Sequence, residues 1–135
     1  MSSTTRLFTA LIRTHHITSR KKLQRVKKLA AQLELPFVLV RSGGAPGLMY
    51  AEGGDGAAVG RWVAAVHDLR YKDFQCAQKP AVRAVAVPAP RAAAAASHGP
   101  SFREVASVAE FGQVMEDRGL GAWWKTGMGY QKNDG

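Results

Sequence analysis

Between Arg20 and Pro36 the apolar residues Leu23, Val26, Leu29, Ala30 and Leu33 recur at three-and-four spacing, and the pattern stops at the proline. That spacing puts them on a single stripe of a helix, and proline cannot continue one. The rest of the chain must therefore offer an apolar surface on which this helix lies. Thr18 or Ser19, just ahead of it, can cap its first amides. Its remaining circumference carries Arg20, Lys21, Lys22, Arg25, Lys27 and Lys28, and no acid precedes Glu34. Such a face attracts polyanions, the plain alternative being a solvated helix whose charges only keep it soluble.

The flanking segments supply the surface. Residues 6–13 (RLFTALIR) form an apolar run of strand length leading into the helix, and residues 37–40 (FVLV) form a second after Pro36. Residues 41–47 (RSGGAPG) have turn chemistry, so LMYAE at 48–52 closes a hairpin. Asp55 is placed to cap a second helix with Val59, Trp62, Val63, Val66 and Leu69 on its buried stripe. Residues 71–78 alternate as a fourth strand with Phe74 and Cys76 on one face. The order β-α-β-β-α-β predicts an α+β, ferredoxin-like sandwich: four antiparallel strands, both helices on one face and the other face free.

Residues 80–100 mix prolines with an alanine run and read as a linker or loop between a core at 1–79 and a carboxy-terminal helical segment at 101–130. In that segment Ser107 and Glu110 make a capping box, Phe111, Val114 and Met115 form a packing face, and Gly119 ends the helix. Trp123, Trp124, Met128 and Tyr130 are too apolar to leave in water and are expected to dock on the core.

The net charge of +9 is unevenly placed: residues 1–83 hold fourteen Lys and Arg against five Asp and Glu, and residues 84–135 hold five against five. A charge so confined suits a polyanionic partner. Cys76 is the single cysteine, which excludes an intramolecular disulfide and agrees with a reducing compartment and a place in the core. No apolar run reaches membrane-spanning length and no secretory h-region follows the start, so the expected location is intracellular, nuclear or cytoplasmic, without a membrane role. The Ser-, Thr- and Arg-rich opening keeps a mitochondrial transit peptide as the alternative.

The chemistry argues against an enzyme. His15 and His16 are adjacent, so their side chains diverge and do not readily share one ion; one buried and one surface imidazole is the expectation. His67 and His98 lack metal-ligand spacing. GGAPG has no Gly-Lys-Ser/Thr ending, GGDG no calcium-ligand series, and no serine elbow or carboxylate pair is present. No cofactor or metal is implied. For RNA, Phe8 and Tyr50 are the aromatics that central strands could offer for base stacking, but the surrounding consensus is missing.

The motifs THHI at 14–17, LAAQLEL at 29–35, GAPGLMYAEG at 44–53, VHDLRYKDF at 66–74 and FREVASVAEFGQVMEDRGLGAWWKTGMG at 102–129 together resemble one family. It is the carboxy-terminal domain of the RWD-domain-containing protein two type, related to the carboxy-terminal domain of pre-mRNA-processing factor three. The resemblance implies a ferredoxin-like fold and, from the splicing relative, binding to small nuclear RNA where duplex meets single strand. It passes RNA binding to basic positions rather than to a base-reading motif.

The expected function is thus an RNA-binding module that contacts phosphates, with the site drawn from Arg13, His15, His16, Arg20, Lys21, Lys22, Arg25, Lys27, Lys28 and Arg41 and a structured or small nuclear RNA as partner. The alternative is a non-enzymatic protein-interaction module whose partner docks on the free sheet face or the aromatic tail.

Overall fold

Ser19 starts the basic helix, α1 (Arg20–Gln32), its hydroxyl accepting from the Lys22 amide at 3.1 Å. Leu23, Val26 and Ala30 are buried, and the chain leaves the helix through Glu34 at φ +56° ahead of Pro36. The computed structural model describes residues 2–88 and 101–129. Around α1 it places β1 (Ser2–Thr14), β2 (Phe37–Arg41), β3 (Gly47–Gly53), α2 (Gly56–Asp68), β4 (Gln75–Pro88), β5 (Ser101–Val105), α3 (Val108–Asp117) and α4 (Gly121–Met128). The fold is mixed α+β. Asp55 caps α2 by accepting from the Ala57 amide, and Ser107 caps α3 from the Glu110 amide.

The sheet has five strands in the order β4-β1-β3-β2-β5, not four, and β5 lies parallel to β2 with Val38 opposite Phe102. The other pairings are antiparallel, and Tyr50 on β3 stands between Leu39 of β2 and Leu11 of β1. Because side chains alternate along a strand, each of β1, β2 and β3 feeds two cores. Ala10, Ile12, Val38, Val40, Met49 and Ala51 face α1 and α2, packing with Val26, Val59, Trp62 and Val66. Leu11, Leu39, Leu48 and Tyr50 face the other way, onto Phe111, Met115, Trp123, Trp124 and Met128 of α3 and α4.

This second layer corrects the expectation of a free sheet face. Trp123 and Trp124 dock on the core as their apolarity demands, and they dock on the face that had been left open. Tyr50 is fully buried, with its ring 5.8 Å from that of Trp123, and Phe8 packs into the first core. Neither can serve as a base-stacking platform.

The linker expected at 80–100 is also revised. β4 continues to Pro88, so the first part of that stretch belongs to the sheet, and residues 101–105, which open the segment after it, form β5. The strand pattern was obscured at Pro80, where the pairing with β1 shifts register between Thr9 and Leu11. A bulge on an edge strand is where a residue without an amide hydrogen is tolerated. β4 begins at Gln75 rather than Tyr71, since Arg70 and Asp73 adopt φ of +60° and +56° and turn the chain. Residues 89–100, with His98, and Tyr130 lie outside the described residues. Cys76 is only half-buried, and that burial raises its thiol pKa.

Candidate nucleic-acid interface

The ten residues singled out in the sequence divide by position around α1 and the loops beside it. At about 100° per residue, Lys21, Arg25 and Lys28 fall opposite the buried stripe of Leu23, Val26 and Ala30. All three are exposed, and none has a hydrogen bond or ion pair among the described residues. They form a crest about 10 Å long on the helix axis, from a rise of about 1.5 Å per residue. No acid stands in the first turn, so the positive end of the helix dipole is not offset there.

The other cations of α1 are engaged with the protein. Lys22 leans toward the turn after α2, where its Nζ donates to the Arg70 carbonyl at 3.3 Å and sits 5.1 Å from the Tyr71 ring centroid. Burial pushes the Tyr71 phenol up to about 12, which keeps that ring neutral beneath the ammonium. On the opposite flank Lys27 lies 5.9 Å from the Phe102 ring of β5. Arg20 forms a two-pronged ion pair with Glu104 of β5, at 2.7 and 3.1 Å. Hydrogen bonds from Arg20 and the Ser42 hydroxyl hold the Glu104 carboxyl below the usual range.

Arg41 is a structural residue in this fold. Its guanidinium donates to the carbonyls of Ala106 and Pro46, each at 3.0 Å, and to that of Gly44, fastening the β2–β3 loop. His15 and His16 are both exposed, in place of the expected buried and surface pair, with ring centroids 4.7 Å apart. His15 Nδ1 lies 3.7 Å from Asp73, and its backbone amide donates to the Lys72 carbonyl at 2.9 Å. Arg13, at the end of β1, is half-buried beside them. The structure therefore gathers Arg13, His15 and His16 at one end of the sheet, sets Lys21, Arg25 and Lys28 along a helix crest, and spends Arg20 and Arg41 on internal partners.

No family model and no curated protein matches the chain. Among the described residues no group of three metal-binding side chains converges, and no helix is long and apolar enough to cross a membrane. Two participants were missed from sequence. Glu104, which neutralises Arg20, lies 84 positions from it, and the Arg70 to Asp73 turn, which receives Lys22 and His15, falls partly where the alternation of residues 71–78 predicts strand. Spacing along the chain carries no signal for either.

Proposed function

We propose that the chain is a non-enzymatic RNA-binding module that grips phosphates through α1 with little reading of bases, in keeping with its resemblance to the carboxy-terminal domains of the RWD-associated and splicing-factor type. The observation that carries this reading is the crest of Lys21, Arg25 and Lys28, three exposed cations without partners among the described residues, on the outer face of a helix whose other cations are engaged. Unpartnered cations in a row offer phosphate contacts at no cost in broken ion pairs. The strand order β4-β1-β3-β2, with α1 and α2 packed on one face, supports a ferredoxin-like core to which β5, α3 and α4 are an appendage. The alternative, a protein partner docking on a free sheet face or on the aromatic tail, is less favoured because Trp123 and Trp124 are themselves buried against that face. The base-poor site favours recognition of a structured RNA by shape and charge.

The test is fluorescence anisotropy with an RNA hairpin carrying a single-stranded tail, titrated from about 50 to 200 mM salt. Three crest contacts give a log–log salt slope of about 2 to 3 in magnitude, at roughly 0.7 to 0.9 per phosphate. Absence of binding at low salt, or binding indifferent to salt, rejects the proposal.

A further inference from the structure

At the end of the sheet beyond α1, the close of β1, the β2–β3 loop and the start of β4 enclose an open cavity of about 420 Å3. Its chemistry comes from Arg13, His15, Asp73 and Gln75, with Ala45 and Pro46 as an apolar wall. Arg13 is the informative member. It is held in the sheet between Leu48 of β3 and Gln75 of β4, is half-buried, and has no hydrogen bond or ion pair among the described residues. A guanidinium in that position presents up to five N–H donors in a planar fork suited to phosphate oxygens. The acid present does not satisfy it: Asp73 has His15 as its neighbour, at 3.7 Å, and orients that ring at the cavity's edge.

We propose that this cavity binds a nucleotide through its terminal phosphate, a phosphomonoester held by Arg13 and His15. The volume lies in the range of small-ligand sites, about 300 to 1,000 Å3, and exceeds what a phosphate alone would fill. The Gln75 amide offers a donor and an acceptor for ribose hydroxyls or a base edge, and Pro46 a surface for the sugar. The proposal extends the nucleic-acid reading above to a strand end, using residues other than the helix crest. The flank of α1 reaches the same turn that borders the cavity, because Lys22 donates to Arg70 while Asp73 of that turn lines the cavity. A strand lying on α1 can therefore bring its end here. The same chemistry would accept a free mononucleotide.

The experiment compares adenosine 5′-monophosphate with adenosine by calorimetry, and one RNA oligonucleotide bearing a 5′-phosphate, a 3′-phosphate or hydroxyl ends by anisotropy. The expected result is about a tenfold preference for a phosphorylated form, the size of one charge-assisted contact. Saturable binding of the mononucleotide identifies a free nucleotide as sufficient, whereas a preference confined to the oligonucleotides identifies a strand end. Arg13→Gln should erase the preference. His15→Ala, at an exposed position and so without consequence for folding, should reduce it, and Arg61→Glu on α2 should leave it intact. Equal affinity for phosphorylated and hydroxyl forms overturns the proposal even if the oligonucleotides bind. Phosphate-dependent mononucleotide binding with no oligonucleotide binding upholds the cavity and rejects the helix crest.

Discussion

Arg118, at the carboxyl end of α3, donates from one nitrogen to both carboxylate oxygens of Glu52 on β3, at 2.7 and 2.8 Å. Glu52 is 2% exposed and also accepts from the Tyr50 hydroxyl at 2.6 Å. The guanidinium lies 4.0 Å from the centroid of the Phe37 ring, and the Arg118 carbonyl accepts from the Ala86 amide of β4. One residue thus ties the second helical layer to three strands.

Arg118→Met should therefore destabilise the protein by about 3–5 kcal/mol, since it leaves a buried carboxylate without its counter-charge. Denaturant unfolding measures it. The double variant with Glu52→Gln should recover part of the loss, and strict additivity of the two would deny the coupling.

Glu52 also sets a pH dependence. Burial raises its carboxyl pKa above the ordinary value, against the opposing pull of Arg118 and Tyr50. A raised folded value contributes stability that is fully present below the unfolded carboxylate pKa of about 4.3 and is lost as pH rises through the folded value. The stability difference between wild type and Glu52→Gln should accordingly shift against the wild type from about pH 4 toward neutrality. Parallel stability curves for the two proteins would contradict this.

On α1 the crest and the flank separate by experiment. Lys21→Glu with Lys28→Glu should lower the salt slope for RNA by about 1.4 to 1.8, two contacts' worth, without moving the thermal midpoint. Lys22→Glu, whose parent side chain already has Arg70 and Tyr71 as partners, should cost less affinity and some stability. If Arg61→Glu on α2 weakens binding as much as the crest pair does, diffuse attraction accounts for it.

Glu104 restrains Arg20, so releasing it should strengthen binding. Glu104→Gln is expected to raise RNA affinity several-fold and the slope by one contact, about 0.7 to 0.9. A fall in affinity would assign Glu104 some other part in the interface.

Gly112 tests the second layer directly. A Cβ there would lie 2.7 Å from the Trp124 ring. Alanine favours a helix over glycine by about 1 kcal/mol, yet the overpacking costs about 1–3 kcal/mol, so Gly112→Ala should lower the thermal midpoint. A higher midpoint would mean that α3 and α4 pack more loosely than described.

What the sequence made legible was local. The α1 stripe, the Asp55 cap and the Ser107–Glu110 box each rest on residues within about three turns of one another, and each recurs in the structure. β5 escaped notice because SFREV is mostly exposed and its parallel partner, FVLV, lies far back in the chain. β4 was cut short at Pro80 because proline is normally a stop signal, and only the bulge against β1 explains its tolerance. For the site, the list of cations was readable and their division was not. That Arg20 is engaged depends on Glu104, which only the sheet brings near.

With both faces of the sheet covered, the residues that hold the protein together and those offered to a ligand are largely different sets. Lys21, Arg25 and Lys28 can be exchanged for other side chains within about 0.5 kcal/mol of folding stability, the usual range for exposed sites without partners. The charge of this surface can therefore drift under selection with no compensating change required in the interior.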